Sequence, residues 1–366
     1  MHPPHLPNPT CNIKSHEHWI SLKLIVIVTF FGLLAGVTGA MIVIGWIWPN
    51  YGGGDTWVVS QNRASNRPLL AESVRIETAE RIFGVYSDSV KIGETTVMNS
   101  ENKIGEAIAV SSDGWAVMHP SRDVVFSLYK KWRVLGQDGV AYKVDSLSRD
   151  TYSPFVYIKI SLLDTGVADE EKSLSQFKVA SFSDSFNISD EIYIFENGNW
   201  KYSRLGFKKN YAYSASHLDS APNYGYEVEG NFEPGSIAVT NRGRMVGYIS
   251  ENGLLLPNIQ ITRILPEILS KQKVVYPSFG VAGWFGFEQP SAIGSEIVEG
   301  FLVDRVWSKK SKLRRGDIIE KINGQIVRDE NPWYNIGSNQ ANLTIRRAGK
   351  VFDISAEVIP TEAGVL

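Results

Sequence analysis

The sequence predicts a mainly β protein with one membrane-spanning helix near its N-terminus. Leu24 to Trp48 contains no charged side chain, and at about 1.5 Å of rise per residue this run is long enough to cross a hydrocarbon core. Farther along, short runs rich in β-branched and aromatic residues recur between Gly, Asn, Asp and Ser, as strands and turns do. A chain of 366 residues, 43% of them hydrophobic and 21% charged, is long enough for two or three domains with separate cores.

The membrane helix is predicted over residues 21–48, after a tail of residues 1–20. A cleaved signal peptide is the alternative, but the run is long and ends in aromatic residues that suit the membrane interface, which favours an uncleaved anchor. Lys14 and Lys23 precede the uncharged run Leu24–Trp48, and Asp55 is the first charge after it. The tail should therefore be cytoplasmic and the bulk of the chain periplasmic or otherwise extracytoplasmic.

Composition and motifs exclude several classes of function. A formal net charge of -2 gives no electrostatic reason to expect nucleic acid as a partner. The single cysteine, Cys11, excludes an intramolecular disulfide and is interpreted as a free thiol in the tail rather than as a lipidated or redox-active one. No CxxC, HExxH, phosphate-binding loop or dinucleotide fingerprint occurs, so neither a metal nor a cofactor is expected.

A tether and then a β-rich domain follow the predicted membrane helix. Residues 49–71 are polar and turn-forming, which is typical of a linker, and the first domain is assigned residues 72–272. Apolar residues at helical spacing between Glu72 and Ile82 predict a short helix at its start. The clearest strands after it are Ala107–Val110, Trp115–Met118, Phe155–Ile160 and Glu191–Phe195. So many short strands indicate an all-β barrel or sandwich.

Three stretches narrow this prediction to one family. Val110 to Trp115 contains a Ser-Asp-Gly hairpin turn, and Phe177 to Ile194 links two groups of strands. Glu233 to Gly247 places a Pro-Gly-Ser loop, a strand and an Arg-Gly turn before a second strand. These stretches resemble the trypsin-like serine proteases of the HtrA (high-temperature-requirement) family. The resemblance covers roughly residues 78–269 and implies a chymotrypsin-like double β-barrel.

The resemblance also locates three catalytic positions, and none of them holds the residue that the chemistry needs. A serine hydroxyl attacks only when a histidine takes its proton and a carboxylate orients that histidine. The histidine position corresponds to Ser121, the aspartate position to Pro154 and the serine position to Pro234. Proline has neither a hydroxyl nor an N–H, so it can supply neither the nucleophile nor its share of an oxyanion hole. The resemblance therefore implies a degenerate triad.

Displaced residues offer an alternative triad. His119 and Ser236 each lie two residues from the corresponding family position, and Asp150 is the nearest carboxylate to the acid position. Insertions or deletions in loops would bring the three together. Against this, Ile237-Ala238 replaces the Gly-Gly that helps to shape the oxyanion loop. A packed loop histidine and a turn serine that caps backbone N–H groups are the simpler interpretations.

The C-terminal part, residues 273–360, resembles a PDZ domain and is followed by a short tail, residues 361–366. The resemblance is carried in order by Ser278-Phe-Gly-Val281, Gly300 to Val306, Leu313 to Gly324 with its Gly-Asp-Ile-Ile and Ile-Asn-Gly signature, and Asn342 to Lys350. It implies that Ser278, Phe279, Gly280 and Val281 bind a peptide, with backbone N–H groups receiving its C-terminal carboxylate. The alternative is that Phe279 and Val281 are core residues of a domain whose groove is blocked.

Three functions are compatible with this organisation. The first is a membrane-anchored, inactive HtrA-like pseudoprotease that binds, senses or scaffolds proteins through protein C-termini or extended peptides. The second is an active HtrA-like serine endopeptidase that uses His119, Asp150 and Ser236. The third is a structural subunit of a membrane-associated assembly. A homo-oligomer is a further expectation: the resemblance implies a trimer, and the GxxxG pattern of Gly32 and Gly36 would let two membrane helices approach as a dimer.

Overall fold

The computed structural model describes residues 27–32, 69–88, 90–92, 95–163, 177–185, 187–211, 218–291 and 294–363. The chain divides into two units, residues 1–67 and 68–366. In the first unit residues 27–32 are helical. Within the described ranges no helix is both long and apolar enough to span a membrane. The predicted tail, most of the predicted membrane helix and most of the tether lie outside the described residues.

The second unit begins with helix α1 (Glu72–Ala79) and a first barrel. Its strands are β1 (Ile82–Tyr86), β2 (Val90–Ile92), β3 (Thr95–Val97), β4 (Lys103–Ala109), β5 (Trp115–Met118), β6 (Arg133–Gly136), β7 (Ala141–Arg149) and β8 (Val156–Leu162). The barrel closes in the order β1-β4-β5-β8-β7-β6, and β2 and β3 form a separate hairpin. Short 3₁₀ helices lie at Ser100–Asn102 and Phe126–Lys131.

Apolar side chains that point inward hold this barrel together. Val85, Met118, Val134 and Ile158 are fully buried in its core, and each such side chain contributes about 1.5–3 kcal/mol on burial. The turn between β4 and β5 depends on Gly114, whose φ is 97° and whose added Cβ would stand 2.4 Å from a backbone oxygen of β8. Only glycine fits such a position without strain.

The helix predicted over Glu72 to Ile82 is shorter than expected. It ends at Ala79, and Ile82 instead begins β1 and pairs with Ile108 of β4. The helical spacing of apolar residues predicts the helix correctly up to Ala79. Ile82 adopts an extended conformation because it pairs with β4 when the barrel closes. Tertiary pairing overrides the local pattern at this end of the helix.

A second closed barrel and two short helices follow. Its strands are β9 (Glu191–Glu196), β10 (Asn199–Asn210), β11 (Tyr224–Val228), β12 (Ile237–Val239), β13 (Met245–Ile249) and β14 (Leu255–Pro257), in the order β10-β11-β14-β13-β12-β9. Helices α2 (Ile259–Thr262) and α3 (Leu265–Lys271) come next. The Tyr248 hydroxyl donates a 2.6 Å hydrogen bond to the carbonyl oxygen of Val117 and so ties the two barrels together. The predicted mainly β double barrel is confirmed.

The C-terminal domain contains an open six-stranded sheet and a separate two-stranded sheet in place of a closed barrel. Strand β15 (Val275–Ser278) pairs with β22 (Ile359–Glu362), and the main sheet contains β16 (Val281–Ser291), β17 (Gly294–Val306), β18 (Ile318–Ile322), β19 (Gln325–Ile326), β20 (Gln340–Arg347) and β21 (Lys350–Glu357). Helix α4 (Asn331–Tyr334) covers its core. The rings of Phe285, Phe301 and Trp333 pack there with centroids 4.8–5.8 Å apart.

Candidate functional site

The two barrels face each other across a cleft of about 380 Å³. Its lining residues come from β4, β9 and the loops beside them: Ser100, Lys103, Gly105, Glu106, Ser121, Arg122, Glu196, Asn197, Glu233, Pro234, Gly235 and Ser236. Two of the predicted catalytic positions, Ser121 and Pro234, therefore meet in this cleft, together with Ser236. His119, Asp150 and Pro154 are buried and are not among the lining residues.

The loop that carries Pro234 and Ser236 directs its N–H groups into the protein. Gly235 has a φ of 83°, and a Cβ there would stand 2.5 Å from the carbonyl oxygen of His119. The Gly235 N–H donates to the carbonyl oxygen of Ile249 at 2.8 Å, and the Ser236 N–H donates to that of Glu233 at 3.2 Å. Pro234 has no N–H to give. These three residues therefore leave no free N–H to stabilise an oxyanion in the cleft.

His119 is held in a position that does not serve Ser236. Its Nδ1 lies 2.7 Å from the carbonyl oxygen of Pro120 and so donates to it, and its Nε2 is buried without a partner among the described residues. Burial lowers the pKa of this imidazole to about 4. Within the described part of the chain no hydrogen bond joins His119 to Ser236. The ring is neutral at neutral pH but is not paired with a nucleophile.

Asp150, the third member of the alternative triad, is engaged elsewhere. It is fully buried. Its carboxylate accepts hydrogen bonds from the N–H of Tyr152 at 2.9 Å, from the hydroxyl of Ser153 at 2.5 Å and from the hydroxyl of Tyr276. Burial raises the pKa of this carboxyl to about 6. The partners place Asp150 at the boundary with the C-terminal domain, and none of them is His119.

Polar side chains cross the cleft between the barrels. The Lys103 ammonium lies 2.7 Å from the Glu106 carboxylate and 3.3 Å from the side-chain oxygen of Asn197. The Asn197 amide donates in turn to Glu233 at 2.7 Å. Burial raises the pKa of Glu106, although the Lys103 charge opposes the shift. The cleft can hold a polar group, and the part of the chain that the structure describes contains no His, Cys, Asp and Glu cluster suited to a metal ion.

The predicted peptide-binding segment, Ser278–Val281, is packed against other parts of the chain. Ser278, Phe279 and Val281 are fully buried and Gly280 has a φ of 76°. The Phe279 N–H donates at 2.8 Å to the carboxylate of Asp219, 60 residues away, and the Gly280 N–H donates at 2.9 Å to the Ser278 hydroxyl. The side chains of Phe279 and Val281 belong to the core of the C-terminal domain. No pattern in the residues around Asp219 predicts this contact.

Comparison with known proteins gives a limited sequence match. No family model matches the chain. A protein named serine protease HtrA-like from Staphylococcus aureus strain MRSA252 is 25% identical over 128 residues, which cover 29% of this chain and 16% of that protein. The corresponding protein of strain bovine RF122 is 24% identical over the same lengths. The match thus spans about a sixth of these curated relatives.

Solved structures extend the likeness to most of the chain. The HtrA-type protease AlgW with a decapeptide superposes with a TM-score of 0.51 and 14% identity, over 79% of this chain and 98% of that one. A variant of AlgW with a decapeptide gives a TM-score of 0.52 at the same identity, over 80% and 98% of the two chains. At this identity the likeness shows the fold alone.

Proposed function

Because this chain is similar to HtrA-like serine proteases in sequence and has their fold, we propose that it is a proteolytically inactive protein of this kind that binds other proteins. The chemistry of the cleft carries the first half of the proposal. A carboxylate-receiving site in the C-terminal domain supports the second half. The proposed setting is a membrane-anchored protein outside the cytoplasm, which rests on the uncharged run Leu24–Trp48 and on the charges of Lys14 and Lys23 before it.

The single observation that carries the loss of proteolysis is the state of the loop Glu233–Ser236. Acyl transfer needs N–H donors aimed at the developing oxyanion, and one such donor is worth about 2.7–4 kcal/mol of transition-state stabilisation. At Pro234 the N–H is missing, and the N–H groups of Gly235 and Ser236 are used by carbonyl oxygens of the chain itself. The same loss applies whether Pro234 or Ser236 is taken as the nucleophile position. Neither choice leaves a donor in this loop for the oxyanion.

An active endopeptidase is the second candidate, because Ser236 does line the cleft and Gly235 packs against the backbone of His119. A working triad would require His119 to turn its ring toward Ser236 and Asp150 to leave Tyr276. Each move breaks a buried hydrogen bond, which costs about 1–3 kcal/mol per group left unpaired. The inactive form is therefore the better-supported of the two.

Protein binding is assigned to the C-terminal domain, which we interpret as a PDZ domain. In β-augmentation a peptide adds a strand beside a sheet edge, and its terminal carboxylate is received by backbone N–H groups. The N–H of Phe279 already receives a carboxylate, that of Asp219. Leu218, the residue before Asp219, bridges Ala282 on β16. The two contacts support a peptide-binding groove beside β16 that accepts an aliphatic side chain followed by a carboxylate.

The test of proteolysis uses the full chain, purified in a mild detergent, with casein as an unstructured substrate and a fluorophosphonate probe. Ser236→Ala removes the only serine of the Glu233–Ser236 loop, and Ser121→Ala is the matched control in the same cleft. We expect no cleavage and no labelling in any of the three proteins. Cleavage and labelling that Ser236→Ala abolishes and Ser121→Ala preserves would replace the proposal with an active endopeptidase.

A further inference from the structure

The segment Leu218–Ser220 lies between β10 and β11 of the second barrel but is buried by the C-terminal domain. All three side chains are fully buried. A buried carboxylate and a buried hydroxyl are costly unless they are hydrogen-bonded. The hydrogen-bond partners of Leu218–Ser220 therefore identify the surface that this segment packs against.

Asp219 accepts hydrogen bonds from different elements of the C-terminal domain, and the side chain of Ser278 on β15 is one of the donors. Its Oδ2 accepts the N–H of Phe279 at 2.8 Å and the indole N–H of Trp333 at 2.9 Å. Phe279 stands just before β16, and Trp333 lies on α4. The carboxylate thus sits between the start of a strand and a helix. Its Oδ1 has no partner among the described residues.

Leu218 meets the open edge of the sheet. β16 is the terminal strand, since the sheet order is β16-β17-β18-β20-β21. Leu218 forms an antiparallel bridge with Ala282 on this edge. An edge strand with unpaired backbone groups is a template for another segment. The segment also contacts α4, because the hydroxyl of Tyr334 on that helix donates to the carbonyl oxygen of Ser220 at 3.2 Å.

The direction of the segment matches that of a bound peptide end. Leu218 contacts Ala282, and the next residue, Asp219, contacts Phe279, which lies earlier in the C-terminal domain. The segment therefore runs antiparallel to the start of β16. An aliphatic residue followed by a carboxylate, running antiparallel to an edge strand, is the arrangement that β-augmentation gives to a C-terminal peptide. Here the side-chain carboxylate of Asp219 stands in for a terminal carboxylate.

We propose that Leu218 and Asp219 are an internal ligand of the groove between β16 and α4, and that a peptide with a free C-terminal carboxylate must displace them in order to bind. This inference rests on the proposed function, because it assumes that the groove captures peptides. In this proposal, competition from Asp219 lowers the affinity of the groove for peptides with a free C-terminal carboxylate.

Ion pairs connect the segment that leads into α4 with the second barrel and the helices that follow it. Lys208 on β10 lies 2.7 Å from Asp329, and Arg263 after α2 lies 3.2 Å from Glu330. The Arg263 guanidinium also stands 4.6 Å from the ring centroid of Tyr334. These contacts flank α4, so the helix that covers Asp219 is joined to the barrel that supplies it.

The test measures binding of labelled peptides of random sequence, about ten residues long and ending in Leu, Ile, Val or Phe, to the full chain. The same peptides with amidated ends serve as the ligand control. Asp219→Ala removes the internal carboxylate, and Asp219→Asn keeps its shape in case the alanine variant fails to fold. Asp304→Asn is the control, because Asp304 is an exposed carboxylate of the same domain that pairs with Arg315 and makes no contact with Phe279 or Trp333 among the described residues.

We expect Asp219→Ala or Asp219→Asn to bind free-carboxylate peptides at least tenfold more tightly than the unaltered chain, with Asp304→Asn unchanged and amidated peptides unbound. Equal affinity of the Asp219 variants and the unaltered chain would overturn the internal ligand and leave peptide capture standing. Failure of every protein to bind, while hydrogen exchange at Phe279 and Ala282 accelerates in the Asp219 variants, would overturn peptide capture itself and the competition with it.

Discussion

The hydroxyl of Tyr276 donates a hydrogen bond to the carboxylate of Asp150 across the boundary between the first barrel and the C-terminal domain. Both residues are fully buried, and the ring of Tyr276 packs edge-on against that of Tyr152 with centroids 5.4 Å apart. Burial raises the pKa of Tyr276 well above its ordinary value, so the phenol stays a donor. In this position Asp150 joins two domains rather than orienting a histidine.

Tyr276→Phe tests this anchoring role. The substitution removes one donor from a buried carboxylate, and we expect the free energy of unfolding to fall by about 1–3 kcal/mol. Tyr202→Phe is the control, because the Tyr202 hydroxyl bonds Glu191 at an exposed site, where we expect a loss within about 0.5 kcal/mol. Urea unfolding of both variants measures the difference. Equal losses would show that the Asp150 contact adds nothing beyond an ordinary surface hydrogen bond.

We expect the docking of the C-terminal domain to depend on pH, because the carboxyls of Asp150, Asp219 and Glu330 are fully buried. Burial raises the pKa of Asp150 to about 6 and those of Asp219 and Glu330 to about 7. A carboxyl whose pKa is raised in the docked state stabilises docking fully below its free pKa of about 4, and this contribution is lost as the pH rises through 6 to 7. Docking should therefore be tighter at pH 5 than at pH 8, by on the order of a few kcal/mol.

Hydrogen exchange at Phe279, Gly280 and Ala282, corrected for the intrinsic effect of pH, measures this dependence. We expect protection to fall between pH 5 and pH 8, and Asp219→Asn to flatten the change. Asp304→Asn, at an exposed carboxylate beside Arg315, should leave the slope as it is. Rising protection over the same interval would contradict the assigned shifts. The titratable and charged groups that face the three carboxyls are Tyr152, Tyr157, Lys208, Tyr224, Tyr226, Arg263, Tyr276, Asp329 and Tyr334.

His119 has the opposite dependence and lies away from the docking surface. Its pKa is lowered to about 4 by burial, so the folded state prefers the neutral ring. The stability that this gives is present above the ordinary pKa of about 6.5 and is lost as the pH falls from there toward 4. We expect the ring resonances of His119 in NMR spectra to stay unchanged from pH 8 to pH 5 and to be the same in Ser236→Ala. A shift on that substitution would indicate a working Ser–His pair.

The sequence predicted the barrels better than it predicted the site. A short apolar run bounded by turn residues specifies the strand Trp115–Met118 locally, and both ends of that strand were predicted correctly. Ser121 and Pro234 meet in the cleft because the barrel framework is similar to that of the family. Asp219 could not be found in this way, because its role arises from a contact with Phe279 across 60 residues and from no pattern in its neighbours.

Gly283 gives a structural test of the strand that holds Leu218. An added Cβ at Gly283 would stand 1.8 Å from the carbonyl oxygen of Leu302 on β17, whereas one at the exposed Gly337 would have open space around it. We expect Gly283→Ala to separate β16 from β17 and to lower the free energy of unfolding of the C-terminal domain by about 3 kcal/mol or more. Gly337→Ala should change it by about 1 kcal/mol at most.

Comparison of Gly283→Ala with Asp219→Ala separates the role of the sheet edge from that of the carboxylate contact. Gly283 follows Ala282, the residue that bridges Leu218, so Gly283→Ala should also expose the Leu218 amide to hydrogen exchange. Because the displaced strand is the template on which a peptide would pair, this variant should bind free-carboxylate peptides more weakly than Asp219→Ala even though both release the internal segment. Tighter peptide binding by Gly283→Ala than by Asp219→Ala would mean that β16 is not the pairing edge, and that the carboxylate is recognised without an added strand.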